Sequence, residues 1–275
     1  MIVRTLLRRI VLRTPDGDVH QALRYLECEP EIEGYSTHDL EIRIEPYAGR
    51  YRVIEDGGPP REELTPAAVV NYLHRRAFIL SVEDRPQALL LHAACLRNAG
   101  RRVILVGTEG AGKTTLTLSL VLRGYEIEGD ENVFVDGRGV IARPRGLRVK
   151  ERALARLPEI ADRIAAAPFL TDVYGRKIYN LDPRMIGAPW QIRQGAVDLV
   201  VLLRANHGGA SSVRPLGALA AGRELMAEIG FPATGRGGAV AALAGLTARA
   251  QAFDLSLGNS AQALDLIDRL FSALR

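Results

Sequence analysis

The stretch at residues 103–115 places the strongest constraint on how this chain can fold. An apolar run at 103–106 leads into the string GTEGAGKTT, and a second largely apolar run follows at 116–122. The string matches G-x-x-x-x-G-K-[S/T], in which glycines let backbone N–H groups turn inward toward phosphate oxygens. The positive end of a following helix favours the same anion. The sequence therefore predicts a strand, a phosphate-binding loop and a helix, in that order, rather than an ordinary glycine-rich turn.

The loop pattern assigns an expected role to nine consecutive residues. Lys113 is expected to reach the β- and γ-phosphates of a nucleoside triphosphate, and the Thr114 hydroxyl is expected to ligate Mg²⁺. The pattern predicts nucleotide binding but does not say which reaction follows. The expected nucleotide-binding residues are Gly107, Thr108, Glu109, Gly110, Ala111, Gly112, Lys113, Thr114 and Thr115.

Composition is typical of a folded protein with a sizeable core and excludes several other classes. The chain has 275 residues, 47% of them hydrophobic, and a formal net charge of +4. No apolar stretch is long enough to span a bilayer, and arginines interrupt the apolar N-terminus, which is unlike a secretory signal. We therefore expect a cytoplasmic location and no membrane partner. Basic residues alternate with acidic ones instead of forming a block, so no nucleic-acid partner is expected.

The pattern along the chain predicts a small α+β region at 1–85 followed by the loop-bearing domain at 86–275. Alternating apolar and charged residues at 40–55 predict a β-hairpin. Thr65 followed by proline is typical of a helix N-cap and first turn, so a helix is expected from there toward residue 80.

Further elements are predicted in the second region. Residues 88–96 predict one buried strand because they form an almost unbroken apolar run. Helices are predicted over 151–166, which is rich in Arg, Ala and Leu, and over 217–229 and 260–274, the last of which has an apolar stripe.

Two adjacent carboxylates, Asp130 and Glu131, follow the predicted loop helix by one strand. A solvated turn would explain them, but in a wound α/β unit that strand ends beside the phosphate loop. One carboxylate there can hold Mg²⁺, and the other can orient or deprotonate an attacking hydroxyl. Thr114 and Asp130 are the predicted Mg²⁺ ligands. The sequence leaves open which of the two carboxylates is the base. His92 lies in an apolar run and, taken alone, is more typical of a buried structural histidine.

In combination, His92, the loop ending in Lys113 and Thr114, and the Asp130–Glu131 pair resemble the HPr kinase/phosphorylase family and its relatives. This family has a divergent branch that includes lasso-peptide precursor kinases. The intervals from His92 and from Glu131 to Lys113 are typical of the family. The resemblance implies an α/β fold that contains a P-loop and is phosphoenolpyruvate carboxykinase-like. That fold is a mixed sheet with flanking helices, preceded here by the small α+β N-terminal region.

The resemblance is tight over 88–135 and loose over 40–270. It implies ATP and Mg²⁺ as cofactors and assigns catalytic roles to four residues, His92, Lys113, Asp130 and Glu131. Glu131 stands where HPr kinases have an aspartate that acts as base. The segment at 143–150 is also similar to a Pro-Arg-x-x-x-x-Lys segment of the divergent members.

The leading hypothesis is a kinase that transfers the γ-phosphoryl group of ATP to a hydroxyl, most simply a serine of a peptide or protein of lasso-precursor or HPr type. The alternatives are a kinase for a small metabolite such as free serine, a nucleotide-binding regulatory module with little catalysis, and an ATPase. The chain lacks a match for the segment that supports phosphorylase activity and HPr docking, and residues 1–85 are unlike the family's N-terminal domain. These departures favour phosphoryl transfer over HPr as the specific substrate. Relatives often form homo-oligomers, which the resemblance extends to this chain as an expectation.

Overall fold

The computed structural model describes residues 1–35, 37–63, 65–172, 174–232 and 235–274. These residues form a mixed α/β structure with several sheets and flanking helices, which confirms the predicted fold class at that level. The first region contains β1 Ile2–Arg4, β2 Arg8–Arg13, α1 Gly17–Leu23, β3 Glu31–Ile32, β4 His38–Tyr47, β5 Arg50–Glu55, β6 Arg61–Glu63 and α2 Pro66–Glu83.

The elements around the loop are β7 Leu89–Leu91, β8 Ala93–Asn98, β9 Arg101–Val106, α3 Lys113–Leu122, β10 Glu126–Gly129, β11 Val133–Asp136 and β12 Gly139–Ala142. The remaining elements are β13 Leu147–Lys150, α4 Ala161–Ala165, β14 Phe169–Thr171, β15 Lys177–Leu181, β16 Gln191–Ile192, β17 Leu199–Ala205, β18 Ser212–Leu216, α5 Ala218–Met226, β19 Ile229–Pro232, α6 Gly235–Thr247, β20 Gln251–Leu257 and α7 Ser260–Ala273.

A central sheet with the strand order β10-β8-β9-β17-β20-β18 carries the loop. Strands β9, β17 and β20 are parallel, and the outer strands pair with their neighbours in antiparallel fashion. Val103 and Leu105 of β9 pack in one hydrophobic cluster with side chains of α3 and α7. Ile104 and Val106 belong to a second cluster, which includes side chains of α5 and α6. Because both faces of β9 are covered, its residues 103–106 are all apolar, as the sequence suggested.

A second, antiparallel sheet with the order β12-β11-β7-β19 shares two of its chain segments with the central sheet. The segment predicted as one strand at 88–96 is in fact two strands, β7 and β8, separated at His92. β10 and β11 are separated in the same way at residues 130–132. Since β10 pairs with β8 and β11 pairs with β7, both breaks lie where the chain crosses from one sheet to the other. This crossing positions the candidate site.

The N-terminal region forms a five-stranded sheet, β1-β2-β4-β5-β6, with α2. The predicted hairpin is present as β4 and β5, and the Thr65 hydroxyl caps α2 by accepting the backbone N–H of Ala68 at 3.1 Å. The region packs closely on the remainder of the chain. Strand β3 pairs with β16, Arg85 forms an ion pair with Asp136, and one hydrophobic cluster includes side chains from both regions. A boundary between domains near residue 85 stays a prediction.

Two of the predicted helices differ from the structure. Residues 151–166 form two 3₁₀ turns, Glu151–Arg156 and Pro158–Ile160, followed by the short α4. Pro158 has no N–H to donate, and Leu157 before it has φ −136°, so a continuous helix cannot pass this point. The helix predicted over 217–229 ends at Met226, and a strand follows it. No helix among the described residues is long and apolar enough to cross a membrane.

Candidate functional site

Three glycines shape the loop between β9 and α3. Gly110 and Gly112 have φ of +86° and +95°, a backbone region that side-chain-bearing residues rarely adopt. A β-carbon on Gly112 would lie 2.8 Å from Leu257 Cδ2, and one on Gly107 would lie 3.0 Å from Leu203 Cβ. The pattern of glycines therefore has a conformational reason and a packing reason. As the N-cap of α3, Gly112 also offers no side-chain acceptor to the first-turn N–H groups, which suits them to an external anion.

Lys113 begins α3 and is buried, with only 7% of its surface exposed. Its Nζ lies 2.6 Å from His92 Nε2. Burial lowers the pKa of Lys113, although the nearby carboxylates of Asp130 and Glu131 oppose the shift. His92 is held at the break between β7 and β8, where its backbone N–H donates to the carbonyl oxygen of Glu228 at 2.8 Å. The structure thus brings the predicted histidine and lysine into direct contact.

Asp130 connects the end of β10 to the first turn of α3. The Thr114 hydroxyl donates to Asp130 Oδ2 at 2.7 Å, and the backbone N–H of Glu131 donates to Asp130 Oδ1 at 2.9 Å. Asp130 is only 2% exposed, and this burial raises its pKa, while the charge of Lys113 and the Thr114 hydrogen bond oppose the shift. A hydroxyl and a carboxylate in contact are hard oxygen donors of the kind that Mg²⁺ prefers. The described residues contain no cluster of three or more His, Cys, Asp or Glu side chains suited to a metal ion.

Glu131 occupies the same crossing but faces a different partner. Its φ is +76°, a strained conformation for a residue with a side chain. Its Oε2 accepts a hydrogen bond from Arg145 Nη1, so the carboxylate is oriented by a guanidinium. Strained backbone at a polar site is a recurrent feature of functional residues.

The other predicted residues lie along the loop itself. The Thr108 carbonyl accepts the N–H of Ala111 at 3.1 Å, while the exposed Glu109 pairs with Lys150. Thr115 follows in the first turn of α3 and is half-buried.

Two contributors were not assigned from the sequence. Arg145 lies in the segment at 143–150. The sequence showed that this segment is basic, but it did not show that Arg145 pairs with Glu131. Glu228 contributes through its backbone carbonyl, for which the sequence carries no signal.

Comparisons with known proteins add little to this geometry. No protein-family model matches the sequence, and no curated protein matches it. Among solved structures, the chain is similar to the HPr(Ser) kinase/phosphatase from Coxiella burnetii, with a TM-score of 0.34 and 15% identity, covering 66% of this chain and 88% of that one. A similarity of this size establishes neither the detailed fold nor the activity of the chain.

Proposed function

We propose that the protein is an ATP-dependent kinase that transfers the γ-phosphoryl group to a hydroxyl, with a serine of a peptide or protein as the acceptor. The observation that carries this proposal is the convergence of His92, Lys113, Thr114, Asp130 and Glu131 at the start of α3. The sequence resemblance to HPr-kinase-related enzymes supports the same reading, and we include their phosphoenolpyruvate carboxykinase-like nucleotide fold in the proposal.

The loop at 107–115 supplies the nucleotide end of the site. Its backbone N–H groups and the first turn of α3 hold the phosphates, and Lys113 places a positive charge beside them. Burial disfavours the charge of Lys113, whereas phosphate oxygens favour it. Bound nucleotide therefore supplies an anionic partner to Lys113, whose hydrogen-bond partner among the described residues is the His92 ring.

Thr114 and Asp130 would hold Mg²⁺ together with phosphate oxygens and water. Their oxygens fit this ion because both are hard donors already in contact. Burial raises the pKa of Asp130, so its ionised form lacks full compensation within the protein. When bound, the ion supplies charge neutralisation at the phosphates.

The acceptor end of the site is Glu131. The acceptor oxygen forms a bond to the γ-phosphorus as the bond to the departing ADP oxygen breaks, and the hydroxyl proton passes to the Glu131 carboxylate. Glu131 is held by Arg145, which fixes the direction of its carboxylate. His92 and Lys113 lie where they can stabilise charge on the transferring group.

The proposal is tested by incubating the protein with ATP and Mg²⁺ and a panel of serine-containing peptides and proteins, with free serine as a separate arm, and detecting phosphate transfer by mass spectrometry. We expect transfer to a peptide or protein acceptor, lost in Lys113→Ala and in Glu131→Gln. Lys177→Ala and Glu159→Gln, which lie outside the site, serve as matched controls and should retain it.

Each other outcome points elsewhere. Transfer that survives both site variants contradicts the assignment of the residues. Transfer to free serine alone favours the metabolite kinase. Tight ATP binding without any transfer, indifferent to Glu131→Gln, indicates a regulatory module, and phosphate release that needs no acceptor indicates an ATPase.

A further inference from the structure

A second concentration of positive charge lies outside the loop, in a cavity between the N-terminal region and the segment that precedes β13. The cavity has a volume of about 30 Å³. We call it the arginine cavity, because its polar lining includes Arg4, Arg143, Arg145, Arg148 and His74. No carboxylate is among its described lining residues.

The arginines of the cavity are incompletely partnered. Arg4 Nε and Arg145 Nη2 are buried and have no hydrogen-bond partner among the described residues. Arg143 is 4% exposed, and its contacts are the Ser81 hydroxyl at 3.2 Å and the ring of Phe78, 5.1 Å from its guanidinium carbon. Among the described residues no carboxylate forms an ion pair with Arg143. Buried guanidinium groups without a counter-ion are costly, which indicates that an anion belongs here.

His74 does not relieve this excess of charge. Its Nε2 lies 2.6 Å from Arg148 Nη2. Burial, with the charges of Arg148 and Arg143, lowers the pKa of His74 to about 4. The ring is therefore neutral near pH 7 and accepts a hydrogen bond from Arg148 through Nε2. The charged residues that line the cavity are therefore all arginines, and the lining carries a net positive charge.

We propose that the arginine cavity binds one anionic group of a small soluble molecule, a phosphate or a carboxylate, at a site separate from the loop at 107–115. A cavity needs at least about 10–15 Å³ to hold one water molecule. A volume of about 30 Å³ therefore suits a group of a few heavy atoms. Planar guanidinium forks bind carboxylate and phosphate oxygens in pairs. This site goes beyond the proposed kinase activity and does not depend on it.

Arg145 connects the cavity to Glu131. Its Nη1 donates to the Glu131 carboxylate, while its buried Nη2 has no partner in the part of the chain that the structure describes. One guanidinium therefore serves both the anion and the proposed base. Because the negative charge of Glu131 opposes a second anion nearby, Glu131→Gln should tighten anion binding several-fold. Asp162→Asn, at an exposed position, is the matched control and should leave the dissociation constant unchanged.

The experiment is isothermal titration of the full chain with inorganic phosphate and, separately, with acetate, at constant ionic strength and with chloride as the reference anion. The titrations are repeated in Lys113→Ala, which weakens the loop as a competing site. We expect one anion to bind per chain in Lys113→Ala, and we expect Arg148→Gln or Arg4→Gln to weaken it tenfold or more. Arg163→Gln removes an exposed arginine and should have no effect. Circular dichroism verifies that each variant is folded.

The preferred anion identifies the chemical class, because a phosphate-selective cavity and a carboxylate-selective cavity give opposite rankings. If anion binding is lost in Lys113→Ala and is unchanged in Arg148→Gln, the anion binds to the loop alone, and the proposal is overturned. Affinity no greater than that for chloride would overturn it as well. An unchanged affinity in Glu131→Gln would contradict the shared role of Arg145.

Discussion

Two buried cations lie near opposite ends of strand β9, and they differ in whether a carboxylate pairs with them. Arg102, near the start of the strand, donates from Nε and Nη2 to the two oxygens of Glu128 at 2.7 and 2.9 Å, and from Nη1 to the Ala196 carbonyl at 2.9 Å. Lys113, just beyond the loop at the other end, has a histidine nitrogen as its closest partner. Both side chains are at least nine-tenths buried.

The difference separates a structural charge from a charge that awaits a ligand. A buried cation that pairs with both oxygens of a buried carboxylate already has its counter-ion, so binding a further anion is not needed to offset its charge. A buried cation without a matching carboxylate carries an uncompensated desolvation cost, which binding an anion removes. By this criterion the arginine cavity belongs with Lys113 and not with Arg102.

The largest expected effect concerns the ion pair of Arg102 and Glu128. Glu128→Gln leaves Arg102 buried without its counter-ion, and breaking such a pair typically costs about 3–5 kcal/mol of the free energy of unfolding. Urea unfolding measures this loss of unfolding free energy. The control is Asp130→Asn, which makes the same kind of change close to Lys113. We expect it to change the free energy of unfolding by less than about 1 kcal/mol, because burial already disfavours the charge of Asp130. Equal losses in the two variants would erase the distinction.

The next effect falls on the unmatched cation. Lys113→Met should weaken ATP binding by roughly tenfold to a hundredfold, since a hydrogen bond to a charged group is worth about 1.5–3 kcal/mol. The free energy of unfolding should stay constant or rise, because the buried charge is removed. Titration calorimetry and urea unfolding measure the two quantities, with Lys177→Met as the control. A large loss of stability would show that Lys113 is structural, like Arg102.

A smaller effect concerns the pH dependence of stability in the arginine cavity. The pKa of His74 is lowered from 6.5 to about 4, so between these values the unfolded chain binds more protons than the folded one. The stabilising contribution is complete above pH 6.5 and is lost as the pH falls toward 4. His74→Gln, which does not titrate, should lose less stability than the native chain over this range. Parallel curves from chemical unfolding would mean that the cavity does not keep His74 neutral.

The smallest expected effect is the titration of Lys113 itself, because the carboxylates of Asp130 and Glu131 offset part of the shift. The pKa of Lys113 in the folded chain lies below the ordinary lysine value of 10.5, so between the two values the unfolded chain binds more protons and stability rises with pH. The gap in unfolding free energy between the native chain and Lys113→Met should therefore narrow as the pH approaches 10.5. A gap that widens would show that the folded state favours the charged lysine.

The sequence by itself determined the features that depend on neighbouring residues. The glycines of the loop, the presence of a helix directly after the loop and the cap of α2 at Thr65 follow from local conformational preferences, and the structure agrees with each. The order of strand, loop, helix and strand was also sufficient to expect Asp130 beside the loop. Local chemistry decides these features because the residues concerned are already adjacent in the chain.

Only the tertiary structure decided the contacts between distant segments. The apolar run at 88–96 gave no sign of the break at His92, because a strand that changes sheets keeps the same apolar composition on both sides. The pairing of Arg145 with Glu131, and the cavity that Arg4 shares with Arg148, bring together distant segments whose relative placement no single-segment pattern encodes. The sequence therefore predicted the loop itself. The packing of the sheets determined the partners of the charged residues near the loop. It also formed the cavity whose arginines are incompletely partnered among the described residues.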